Sequence, residues 1–326
     1  MSSPCNWLTA TITCCLLSLG AIVPAVALTK DLPWHPSPEI ARAHSAASGK
    51  PILAFAYQAR HRACAATIQY LLPHEAVVPM LREFELLAVD TQDPAMRDFC
   101  LRHKLGIDEA TNPLAGDHST VQAVLPVYLV LSAQGRELCR DYGQLVFYTV
   151  NRKTREFSVI PEQVPVAATA LATRLQQMLE LAQLEQQLQT NPSATVHARM
   201  GNLLMKLGRH ETARYHLQLA MRMDADNAQG AYQDAHLDMT ILDIAEDAQR
   251  CLQQLLDYEQ RYPTSARLLE VRYYKAVCHA ALEDYKSAGR LLQTFETADK
   301  NAPEYASPWT TLALTLLQEM RDRGLY

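Results

Sequence analysis

Cys64 is the residue of this chain whose type and surroundings most invite chemistry. It closes the run Gln58-Ala59-Arg60-His61-Arg62-Ala63-Cys64, just after the apolar stretch Pro51 to Tyr57 and at the start of a predicted helix. Arg60, His61 and Arg62 put cations beside the thiol, and cations at a helix start favour the thiolate. A single-thiol nucleophile at Cys64 is therefore one reading. A second is a metal site, since His61 and Cys64 are acceptable ligands; two ligands are too few, and His74 or His103 would have to add a third. A third is that the turn does no chemistry and belongs to a fold used for binding. No glycine-rich phosphate loop, Gly-x-Ser-x-Gly or His-Glu-x-x-His run occurs, so neither a cofactor nor a complete metal set is expected.

The elements around Cys64 follow from hydrophobic periodicity. A linker with Pro33, Pro36 and Pro38 leads to a short helix over Glu39 to Ala47, with Gly49 as its stop signal. Ile52 to Tyr57 reads as a buried strand. A helical region, Ala63 to Arg82, is interrupted at Pro73. Glu85 to Asp90 is a second strand and Pro94 to His103 a further helix. Strand, helix and strand in this order ask for a parallel pair with a right-handed crossover. After a loop at Gly116 to Ser119, Val127 to Leu131 and Arg136 to Tyr142 form a hairpin about Gly135, giving a mixed four-stranded sheet. A further hairpin is expected across 144–160, around Asn151 to Thr154, as a lip over the sheet edge or a hinge.

From Trp34 to Gly143 this pattern resembles the exported thioredoxin-like proteins. Trp34 leads an alanine-rich helix, Lys50-Pro51 precedes the first strand, Asp90 ends the second, Pro126 opens the hairpin and Gly135 turns it. The resemblance implies that Pro126 is cis and lies against the turn that carries Cys64. It also implies that His61 stands where a Cys-x-x-Cys pair has its attacking cysteine, leaving Cys64 in the resolving position. The expected domain is then thioredoxin-like and degenerate in its redox motif.

From Val166 the spacing is helical throughout. Leu171, Leu175, Met178, Leu181, Leu184 and Leu188 recur at three or four residues along one long helix that ends near Asn191-Pro192. The 34 residues from Ala194 to Asn227 resemble a tetratricopeptide repeat, with Gly201, Gly208, Ala213 and Ala220 at the small positions. His197 and Ala225 depart from the pattern, which favours Trp and Pro there. Ala248 and Ala288 mark two looser units, closed by Pro263 and Pro303, and Pro308 to Arg321 reads as a cap. Arg199, Lys206, Arg214 and Arg272 read as solvated helix faces, some of which could line a groove receiving a peptide carboxylate.

The first 29 residues carry no Asp, Glu, Lys or Arg and include the small-residue pattern Ala25-Val26-Ala27, as a cleavable signal peptide would over residues 1–27. An uncut membrane anchor is the alternative. Cleavage would leave Cys64, Cys100, Cys139, Cys251 and Cys278, an odd number with no metal-ribbon spacing; Cys100, Cys251 and Cys278 read as packing residues. A net charge of −5 with no basic run excludes a nucleic-acid binder. The expectation is a periplasmic or secreted protein with a thioredoxin-like domain to residue 161 and a helical repeat domain over 162–326. It would bind a protein or peptide through the repeat groove, without nucleic acid, and meet a membrane only if the leading segment stays uncut. The alternative function is a monothiol oxidoreductase using Cys64, with the repeats recruiting its client.

Overall fold

The structure is a computed structural model that describes residues 28–29, 32–105, 125–142, 147–150, 157–297 and 306–326. The leading segment 1–27, Gly116 to Ser119, Asn151 to Thr154 and Pro303 lie outside these residues. Among the described residues no helix is long and apolar enough to cross a membrane. The chain forms two compact units that divide between Ala182 and Gln183.

The first unit is built on β2, Ile52–Tyr57, whose six residues are all buried. A strand covered on both faces reads as an unbroken apolar run, and ILAFAY is one. β3, Glu85–Asp90, pairs with it in parallel, and β4, Val127–Leu131, pairs with its other edge antiparallel. β5, Glu137–Tyr142, completes the hairpin with β4 and buries Cys139. The sheet has five strands and not the four expected, in the order β1-β3-β2-β4-β5. The addition is β1, Trp34–His35, parallel to the outer edge of β3. Two residues are too short to give a period, which is why this strand is not legible as one. Cross-strand aromatics fill the core: Phe55 faces Tyr128 in the register, with ring centroids 5.2 Å apart.

The helices of this unit are short. α1, Pro38–Ser48, starts on the Ser37 side chain, which accepts from the Ile40 N–H, and ends at Gly49 with φ 76°. α2, Arg62–Ala66, runs into a π turn over Thr67–Leu71, so the helix loosens before Pro73. α3, Val78–Leu81, and α4, Arg97–His103, follow on either side of β3 in the chain. A second sheet of two antiparallel strands, β6 (Tyr148–Val150) and β7 (Phe157–Val159), is the hairpin expected across 144–160. α5, Val164–Thr190, then spans the division between the units. Its Arg174 is paired with Asp141 of β5 at 3.0 Å.

Among its described residues the second unit is helical, with α6 (Ala194–Lys206), α7 (His210–Met223), α8 (Ala231–Leu242), α9 (Ala248–Arg261), α10 (Leu268–Ala281), α11 (Tyr285–Glu296) and α12 (Pro308–Asp322). Its core is a chain of three-helix clusters. Ala198, Leu217 and Ala235 join α6, α7 and α8; Leu237, Leu255 and Val271 join α8, α9 and α10; Ala276, Leu292 and Leu317 join α10, α11 and α12. Each cluster shares a helix with the next, so burial is local along the chain. Gly201 shows why a small residue is needed at the first crossing: a Cβ there would stand 2.5 Å from the buried Leu217 side chain and 3.2 Å from the Ala213 carbonyl oxygen.

Candidate functional site

β2 ends at Tyr57 and hands the chain to a tight turn, in which the His61 N–H donates to the Gln58 carbonyl at 3.0 Å. His61 is extended, with φ −79° and ψ 120°, and its carbonyl accepts the Ala65 N–H, so it is the N-cap of α2. Its imidazole is exposed and does not cap the helix. Cys64 lies in the first turn of α2 and points inward, with 0% of its surface exposed. The two side chains meet, with His61 Nδ1 3.4 Å from Cys64 Sγ.

Burial pushes the Cys64 thiol up to about 11; a backbone hydrogen bond from Gln58 works against this and the Asp90 carboxylate adds to it. Tyr57 is likewise raised to about 12, by burial and then by Asp90, Asp93 and Cys64. Desolvation, and not the neighbouring cations, sets the state of this thiol. Sequence spacing placed Arg60 and Arg62 near the sulfur but says nothing of how dry the sulfur is. Asp90 enters the site because β3 runs beside β2 in register, Tyr57 opposite Asp90.

The Leu125–Pro126 peptide bond is cis and Pro126 is buried. Val127 pairs with Ala56, so Pro126 opens β4 at the end of the sheet where β2 passes into the His61 turn. His74 and His103 do not join His61 and Cys64. His74 Nδ1 accepts from the Ala76 N–H at 3.2 Å, and His103 Nδ1 lies 3.2 Å from Glu137 Oε2. No disulfide joins the described cysteines Cys64, Cys100, Cys139, Cys251 and Cys278, all of which are buried. Cys251 and Cys278 sit in the α8–α9–α10 cluster as packing residues.

Beside α2 runs a groove of about 760 Å³ lined by Arg62, Gln69 and Tyr70 on one side and by Phe157, Val159 and Pro161 on the other. The β6–β7 hairpin therefore forms one wall next to the Cys64 helix. In the helical unit a second groove of about 760 Å³ is lined by Lys206, His210, Ile241, Ile244, Tyr274 and Leu282. Two arginines expected on solvated faces are used internally. Arg214 pairs with Asp243 and, at 3.2 Å, with Glu246, while Arg272 lies 5.9 Å from the centre of the Phe295 ring.

No known family model matches this chain, and no curated protein matches it.

Proposed function

We propose that the first unit is a thioredoxin-like domain without redox activity, and that this exported chain works by binding a protein or peptide through its tetratricopeptide-like helical half. The observation that carries the proposal is the state of Cys64: a lone thiol, fully buried, raised to about 11. A thiol of that kind is almost wholly protonated at neutral pH, and the thiolate is the species that attacks disulfides. The parallel pair flanked by an antiparallel hairpin, with a cis proline beginning the hairpin strand, supports the thioredoxin-like reading. The three-helix clusters support the repeat reading, and the groove with Ile241, Ile244, Tyr274 and Leu282 offers apolar contact to a peptide, with Lys206 available to a carboxylate. The charge-free start of the chain supports export, and a membrane is met only if that segment stays uncut.

The monothiol alternative rests on the 3.4 Å contact between His61 Nδ1 and Cys64 Sγ, a geometry from which an imidazole could take the thiol proton. Insulin reduction coupled to dithiothreitol separates the two. Wild type is expected to be inactive. His61→Cys should gain activity, because it puts a second sulfur at the N-cap of the helix that carries Cys64, and His61→Cys with Cys64→Ser should lose it again. An active wild type that is silenced by Cys64→Ser would establish the monothiol enzyme instead.

A further inference from the structure

At the opposite end of the parallel strands from Cys64, three ligand side chains converge that share no motif in the sequence. His35 of β1 pairs with Leu87, so Glu85, two residues earlier on β3, shares its face of the sheet. α1 packs over β1, β2 and β3, and its His44 and Ser48, four residues apart, lie on one side of it. One ring nitrogen of His35, one of His44 and a carboxylate oxygen of Glu85 all lie within 4.8 Å of one another, the one such group of three among the described residues. His35 Nε2–H donates to Glu85 Oε2 at 2.7 Å, and the His35 and His44 rings are 4.4 Å apart.

We propose that His35, His44 and Glu85 bind a divalent transition metal of the zinc type, with one coordination position left for water. Two imidazoles and one carboxylate are a donor set that suits Zn²⁺ and leaves a fourth tetrahedral position open. Ligand atoms around such an ion stand roughly 3.4 Å apart, from bonds of about 2.0–2.2 Å. The His35–Glu85 pair has only to open slightly, and exposed His44 to swing inward, to reach that spacing. Binding replaces the His35 Nε2 proton, which moves to Nδ1 or to solvent. The outer shell is already in place: the Ser48 hydroxyl donates to Glu85 Oε1 at 2.8 Å, which leaves Oε2 as the ligand atom and fixes the carboxylate plane. Ser48 is in turn held where α1 ends, its Oγ accepting the Lys50 N–H at 3.3 Å. Buried His35 supplies a fixed ligand and exposed His44 an entry side. The ion would clip β1 and α1 to the first residue of β3, independently of what Cys64 does.

The test uses the full-length protein, stripped with chelator and titrated by calorimetry with ZnCl2 in a non-coordinating buffer. One equivalent should bind saturably and raise the melting temperature. His44→Ala, a change on an exposed helix face that leaves the fold intact by circular dichroism, should weaken binding at least tenfold. Glu85→Gln should do the same, and Ser48→Ala should weaken it about tenfold through the lost outer-shell bond. Cys64→Ser and His197→Ala should leave it unchanged. Co²⁺ in place of Zn²⁺ should give visible ligand-field bands without a thiolate charge-transfer band. Absence of saturable binding, binding unchanged in His44→Ala, loss in Cys64→Ser or His197→Ala, or a thiolate band with Co²⁺ would overturn the assignment.

Discussion

Glu137 accepts hydrogen bonds from Arg140 at 2.7 Å and faces His103 Nδ1 at 3.2 Å, and through them β5 is tied to the end of α4. Burial raises its carboxyl, but the bonds from His103 and Arg140 and their charges outweigh that and hold it at about 2. A carboxyl lowered on folding contributes stability above its ordinary value of 4.5, and that contribution is lost as pH falls through about 2. Glu137→Gln should therefore cost roughly 1–2 kcal/mol at pH 7 in denaturant unfolding. The gap between wild type and variant should close as pH falls from about 4.5 toward 2; a gap independent of pH would show that packing, and not charge, is what the substitution removes. The same residues mark a limit of sequence reading. His103 is available as a metal ligand when only composition is considered, yet its partner lies 34 residues away, on strand β5. His35, His44 and Glu85 show the converse, since a ligand set drawn from one strand, one helix and the next strand leaves no spacing to find.

Elements were legible in proportion to their length and the regularity of their burial. β2 and β4, apolar on both faces, and the long α5 stand out from flanking polar residues, whereas β1 with two residues and the π turn at Thr67–Leu71 have no period of their own. The α6–α7 pair was legible for a stronger reason: Gly201 is small because the crossing leaves no room for a Cβ, and Ala213 is fully buried beside it. Gly201→Ala would gain about 1 kcal/mol in helix propensity, but overpacking against buried Leu217 and the Ala213 carbonyl costs about 1–3 kcal/mol. A net fall in melting temperature is expected, with the helical circular-dichroism signal retained below the transition. A rise would mean that Leu217 relaxes freely and that the crossing is not close-packed.

At the scale of the whole molecule, the change from sheet to helix was visible near Val166, but the compact units divide later, between Ala182 and Gln183. Helical periodicity marks where α5 begins and carries no information about which unit its buried leucines serve. The Arg174–Asp141 pair and the burial of Leu171, Leu175 and Met178 place the first part of α5 with the sheet. A fragment of residues 28–190 should consequently melt cooperatively, and one ending at Pro161 should melt lower or without cooperativity; equal melts would return the helix to the other unit. On the proposed function, the full-length chain binds a partner and has no working thiol. The most direct measurement is a titration of native full-length protein and of Cys64→Ser with an aromatic disulfide reagent at pH 7.5, counting thiols that react before unfolding. Equal counts are predicted, with a difference emerging only as pH rises toward about 11, where the Cys64 thiol ionises. One more fast-reacting thiol in wild type than in Cys64→Ser at pH 7.5 would contradict it.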